Sequence, residues 1–100
     1  MIYYVAHKYC ENSYNLKRAA KITRELQIDD PDNCYICPLV MFSHLKYGTY
    51  LTREQEMALC LDILSVCDVL LVCSDVSEGV QTEIDFANRV GMEVEYYNYR

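Results

Sequence analysis

The sequence has no tryptophan, only three glycines and two prolines, and few basic side chains for its 100 residues. Nine lysines and arginines against 15 aspartates and glutamates give a net charge of −6. Proteins that neutralise nucleic-acid phosphates need a basic stripe, and those that dock on anionic membranes need a basic cluster. No apolar run approaches the roughly 18 residues of a membrane span. These absences argue against a nucleic-acid polymer or a membrane as the partner.

Apolar side chains are abundant, at 52% of the residues, which excludes intrinsic disorder. The length predicts one domain over residues 1–100. The first residues lack the basic and long apolar stretches of a secretion signal, so we expect a cytoplasmic protein whose six cysteines are reduced and mostly buried. Cys34 and Cys37 form a single CxxC pair without the further ligands that zinc requires. We therefore expect no metal and no other cofactor.

Strand and helix patterns alternate along the chain. Short apolar runs predict strands at residues 2–6, 35–40, 68–73 and 92–97, and amphipathic stretches predict helices at residues 11–27, 52–66 and 80–90. Pro38 cannot donate to a sheet ladder, so the second strand is expected to end there. This alternation predicts an α/β fold of three layers, doubly wound and Rossmann- or flavodoxin-like, with a four-stranded parallel sheet in the order 2-1-3-4 and three main helices. Ligands of such sheets bind beyond the carboxyl ends of the strands, where the strand order reverses.

The loop after the third predicted strand carries the sharpest pattern. Ser77 and Gly79 precede the third helix, whose first amides suit an anion such as a phosphate, and Gly79 permits a sharp turn or a close backbone approach. Glu83 follows about one turn into this helix. A glutamate there can simply favour the helix dipole, or it can attack a sugar anomeric carbon as a nucleophile. The pattern is neither a Walker A loop nor a GxGxxG loop.

Four segments, in this order, resemble the nucleoside 2-deoxyribosyltransferase-like superfamily, and especially its short members. The resemblance covers nearly the whole chain. The matching segments are Ile2-Tyr-Tyr-Val-Ala-His-Lys-Tyr9, Asn15-Leu-Lys-Arg-Ala19, Pro38-Leu-Val-Met-Phe42, and Cys67-Asp68 followed by Ser77-x-Gly79-x-x-x-Glu83-x-x-x-Ala87.

The resemblance implies cleavage of an N-glycosidic bond, or deoxyribosyl transfer, on a nucleoside or nucleotide. It places the glutamate nucleophile at Glu83, the tyrosine that supports it at Tyr3, and a contact to the 5′-phosphate at Ser77. Further candidate substrate-binding residues are Gly79, His7, Lys8, Tyr9, Asp62 and Asp75.

The sequence departs from the superfamily at Cys60. The transferases carry there, eight residues before the position of Asp68, an aspartate that handles the base and its proton. A cysteine cannot replace a carboxylic acid, and a leaving base needs protonation. Asp62 and Asp75 are candidates for the missing acid.

Cys60 favours a second hypothesis, a non-catalytic module that binds a nucleotide or nucleotide sugar. A third is a small interaction protein with a vestigial pocket. Glu54 and Glu56, in the first turn of the second helix, are expected to be solvated. The tyrosine-rich segment at residues 96–100 is expected to cover the edge of the core or a dimer contact, and the large apolar surface favours a homodimer.

Overall fold

Four parallel strands form the centre of the protein in a computed structural model that describes residues 1–98. The strands are β1 (Ile2–Ala6), β2 (Cys34–Ile36), β3 (Val69–Val72) and β4 (Glu93–Tyr96), in the order β2-β1-β3-β4. All three pairings are parallel. The predicted α/β fold and strand order are therefore confirmed. Residues 99 and 100, the end of the predicted domain and of its tyrosine-rich segment, lie outside the described residues.

Three main helices cover the two faces of the sheet: α1 (Ser13–Asp29), α3 (Arg53–Leu64) and α4 (Glu78–Val90). The core on the α1 face contains Val5, Ala19, Ile22, Cys37, Leu71 and Cys73. The core on the face of α3 and α4 contains Tyr4, Ala6, Leu64, Cys67, Leu70, Val72, Val80, Ile84 and Ala87. Successive residues of β1 and β3 alternate between these clusters, as side chains on a strand must. Because both faces are buried, β3 is apolar throughout.

The helix ends follow local chemistry. Thr52 and Gln55 form the capping box expected at the start of α3, and Ser77 caps α4. Gly91, at φ 76°, ends α4 in the left-handed conformation that favours glycine. Within residues 1–98, no helix has both the length and the apolar character needed to cross a bilayer.

The second strand is shorter than predicted. Residues 38–41 form a short helix, α2 (Pro38–Met41), followed by a single 3-10 turn over Ser43–Leu45. Proline lacks the N–H that a sheet ladder needs, but its fixed φ suits the first position of a helix. The strand ends at Ile36, two residues before the end expected at Pro38, and the residues from Pro38 to Val40 are helical rather than extended.

The cysteines are all free. Cys37, Cys67 and Cys73 are buried as expected, whereas Cys10 and Cys34 are exposed. Among residues 1–98, no group of three or more His, Cys, Asp or Glu side chains is arranged to hold a metal ion.

Candidate functional site

A cavity of about 820 Å³ lies beyond the carboxyl end of β1. Its walls come from the end of β1, from α2 and the loop after it, from residues 53–61 of α3, and from the amino-terminal half of α4. The volume lies within the range of small-molecule sites, roughly 300–1,000 Å³. β1 and β3 are neighbours at the centre of the sheet, where the strand order reverses. The cavity therefore occupies the place where doubly wound sheets bind their ligands.

Glu83 and Tyr4 form a buried hydrogen-bonded pair in this cavity. Glu83, in the second turn of α4, is 7% exposed, and Tyr4, in β1, is 1% exposed. The Tyr4 hydroxyl donates to Oε2 of Glu83. Burial raises the pKa of Glu83 to about 7, and the bond from Tyr4 opposes that rise. The carboxyl is therefore present in both its charged and its protonated form near neutral pH.

Tyr4 is a permanent donor to this carboxyl. Burial, and next the charge of Glu83, hold the pKa of Tyr4 well above its ordinary value. The hydroxyl consequently keeps its proton throughout the physiological pH range and fixes one oxygen of Glu83.

The expectation that Tyr3 supports Glu83 is wrong by one residue. Adjacent strand residues point to opposite faces of a sheet, and the Tyr3 side chain packs on the α1 face. Its ring stacks on Tyr35, with 4.8 Å between the ring centroids. Tyr4 points to the other face, which carries α4, and makes the contact expected of Tyr3.

Cys60 of α3 lies beside the Glu83 and Tyr4 pair. It lines the same cavity and packs against the core cluster that contains Tyr4. Burial, and next the charge of Glu83, raise the pKa of Cys60 to about 11. The thiol is therefore neutral near pH 7, and it is a weak donor rather than a carboxylic acid.

Four other predicted residues line the same cavity: Ser77, Gly79, His7 and Tyr9. Ser77 Oγ accepts the backbone N–H of Val80 at 3.3 Å, which leaves the hydroxyl hydrogen to donate elsewhere. Gly79 lies within helix α4, and a Cβ there would be in ordinary contact, 3.4 Å from Cε of Met57. The sharp turn expected at Gly79 is therefore absent.

His7 is a neutral component of the cavity wall. It is 5% exposed, and burial, more than its neighbouring cations, lowers its pKa. Its Nδ1 lies 2.6 Å from the Lys8 carbonyl oxygen, and its Nε2 lies 2.7 Å from Nη1 of Arg18. A carbonyl only accepts and a guanidinium only donates, so the hydrogen sits on Nδ1.

The ring of Tyr9 packs edge-on against Tyr47, with 5.0 Å between the centroids.

Lys8, Asp75 and Asp62 are not in this cavity. Lys8 Nζ pairs with Oδ2 of Asp75 at 3.2 Å, and both residues line a separate cavity of about 410 Å³ near α1 and the end of β4. Asp62 is exposed and lies two residues after Cys60 in α3, about 200° around the helix. Neither aspartate proposed as the missing acid therefore reaches Glu83.

Glu56 is the site residue that the sequence patterns missed. Instead of being solvated, its side chain is 7% exposed and lines the Glu83 cavity. Its Oε1 accepts the backbone N–H of Gly48 at 3.1 Å, so the loop before α3 covers it. Glu56 lies one helical turn before Cys60, on the same side of α3. Extending the inward-facing row that contains Cys60 by one turn would therefore have predicted that Glu56 faces the cavity.

The fold and the cavity together define a Rossmann-like α/β domain with a buried carboxyl in a ligand-sized cavity. A family model described as "Domain of unknown function (DUF7768)" matches residues 1–97, and the chain belongs to this family. No curated protein and no solved structure matches the chain.

Proposed function

We propose that this protein binds a nucleoside or nucleotide in the Glu83 cavity and cleaves or transfers its N-glycosidic bond. The observation that carries the proposal is the buried Glu83 carboxyl, held by the Tyr4 hydroxyl beyond the carboxyl end of β1. The resemblance of four sequence segments to the nucleoside 2-deoxyribosyltransferase-like superfamily supports it.

The reaction uses Glu83 as a nucleophile. Its ionised carboxylate attacks C1′ of the sugar, a C–O bond forms, and the bond between C1′ and the base nitrogen breaks. The base takes the bonding electrons and a proton. Water or an acceptor base then attacks C1′ and releases Glu83, with overall retention of configuration. Tyr4 holds Oε2 during both steps, which leaves Oε1 of Glu83 as the attacking atom.

The charges around the cavity suit a small substrate rather than a polyanion. Lys46 and Arg53 line the cavity together with four carboxyl groups, those of Glu54, Glu56, Glu78 and Glu83. The Ser77 hydroxyl is a donor for a sugar or monophosphate oxygen at the start of α4. A nucleoside or a nucleoside monophosphate fits this balance better than a triphosphate.

The test is release of free base from a panel of ribonucleosides, 2′-deoxyribonucleosides and their 5′-monophosphates, followed by chromatography. The Glu83→Ala variant removes the nucleophile, and Asp85→Asn is a matched control because Asp85 is an exposed carboxylate on the same helix. We expect release by the wild type and by Asp85→Asn and none by Glu83→Ala. Equal release by the wild type and Glu83→Ala would refute the proposal.

A second candidate function is nucleotide binding without cleavage, which Cys60 favours because it stands where the transferases carry their acid. Nucleotides that raise the melting temperature without any base release would select it. A Glu83 that pointed into bulk solvent would have counted against both ligand hypotheses, and its side chain is buried. The third hypothesis, a vestigial pocket, stays open. The expected homodimer and cytoplasmic location stay predictions.

A further inference from the structure

Two acidic side chains are buried among the described residues, and both line the same cavity. Glu56 and Glu83 are each 7% exposed, and they come from different helices, α3 and α4. Both are close enough to Cys60 that their charges raise the pKa of its thiol. Glu54 and Glu78, which also line the cavity, are exposed. Glu56 thus differs from Glu54 and Glu78 in being withdrawn from solvent.

The direction of α3 places Glu56 nearer than Cys60 to the carboxyl edge of the sheet. A helix that leads into a parallel strand runs opposite to that strand, so α3 begins at the carboxyl edge of the sheet. Glu56 precedes Cys60 by four residues, which is about 6 Å along the helix axis. A ligand whose sugar contacts Glu83 and whose base extends along α3 toward the carboxyl edge of the sheet would bring that base to Glu56.

The two carboxyl oxygens of Glu56 have different surroundings. Oε1 accepts the N–H of Gly48, and φ at Gly48 is 75°, a left-handed conformation that glycine adopts readily. Oε2 accepts no hydrogen bond from residues 1–98. One oxygen is therefore fixed by the loop, and the other is left to a ligand.

We propose that Glu56 is the general acid that protonates the leaving base, from a position one helical turn before the Cys60 that cannot do so. This inference rests on the proposed function. As Glu83 attacks C1′, the proton on Oε2 of Glu56 passes to the base nitrogen or oxygen, and Glu56 becomes a carboxylate. In the second step, Glu56 takes a proton from the attacking water, which restores the acid.

The experiment compares two leaving groups on the same sugar. One substrate is the nucleoside or nucleotide that the panel shows to be cleaved fastest, and the other is 4-nitrophenyl 2-deoxyriboside, whose nitrophenolate leaves without protonation. We expect Glu56→Gln to slow base release by about 10²- to 10⁴-fold. In the first turnover, nitrophenolate release should stay within about threefold of the wild type, because forming the glycosyl-enzyme from this substrate needs no general acid. Later turnovers of both substrates are slowed, because Glu56 also assists the attack of water.

Several controls separate this inference from the proposed function. Glu83→Ala should lose both activities, and Asp85→Asn should keep both. Glu56→Asp retains an acid and should recover part of the base release, and it also serves if the glutamine variant fails to fold. If Glu56→Gln slows the first turnover of both substrates equally, or of neither, the acid role is refuted while the nucleophile stands. If the wild type cleaves neither substrate, or Glu83→Ala cleaves both, the proposed function fails and the acid role fails with it.

Discussion

Replacing Glu83 with glutamine should reveal what the protein loses in stability by keeping a carboxyl in its interior. Burial raises the pKa of Glu83 from 4.5 to about 7. Between these values the unfolded chain has released the proton and the folded chain retains it, so the free energy of unfolding falls as the pH rises. Each unit of this pKa shift corresponds to about 1.4 kcal/mol. Above pH 7, the buried carboxyl therefore lowers the free energy of unfolding by about 3 kcal/mol.

This loss is large beside the net stability of a domain, about 5–15 kcal/mol. Glutamine has nearly the same shape, and its carbonyl can still accept the Tyr4 hydrogen bond, but it does not ionise. We therefore expect the advantage of Glu83→Gln over the wild type to grow by about 2–3 kcal/mol between pH 5 and pH 8.

Urea unfolding followed by circular dichroism at each pH measures this advantage, with the slope m checked for constancy. Taking the difference between variant and wild type removes the titration of other groups, such as His7. Asp85→Asn, which neutralises an exposed carboxylate of the same helix, should show no comparable growth. Stability curves that stay parallel from pH 5 to pH 8 would show that Glu83 does not titrate in this window.

Two further variants test the surroundings of Glu83. Tyr4→Phe removes the hydrogen bond that lowers the pKa of Glu83, so carbon-13 NMR of the Glu83 carboxyl should show titration at a higher pH than in the wild type; an unchanged titration would contradict the pairing. Ser77→Ala removes the cap bonded to the Val80 N–H and should lower the free energy of unfolding by about 1 kcal/mol. Ser77→Thr keeps the cap, so its free energy of unfolding should fall less in the same denaturation experiment. Equal stability of the wild type, Ser77→Ala and Ser77→Thr would argue against the cap.

The order of strands and helices could be read from local patterns. β1 was predicted with its observed bounds, and β3 within one residue at each end, because a strand buried on both faces leaves an unbroken apolar run. The end of β2 was expected at Pro38, but the helix that starts there was not, because proline is suited both to ending a strand and to starting a helix. Whether the residues after Ile36 continue as a strand or form a helix depends on whether a neighbouring strand is available for pairing, which the local sequence does not specify.

The candidate site was predicted in part, for a similar reason. Glu83, Ser77, His7 and Tyr9 were expected together because parallel strands bring the loops at their carboxyl ends to one edge. The aspartates were misplaced because the spacing along α3 and the loop after β3 does not tell which side chains turn toward Glu83. Asp75 instead pairs with Lys8 at a separate cavity.

Local sequence was therefore enough to establish an α/β sheet and the segments that meet at its carboxyl edge, because periodicity and capping act within a few residues. Tertiary structure alone decided that Tyr4, and not Tyr3, meets Glu83, because alternation along a strand does not say which face α4 will cover. It also decided that Glu56 is buried, because that depends on Gly48 returning over α3 to bind the carboxyl. Side-chain environments of this kind arise from contacts between distant segments, and these form only when the chain is folded.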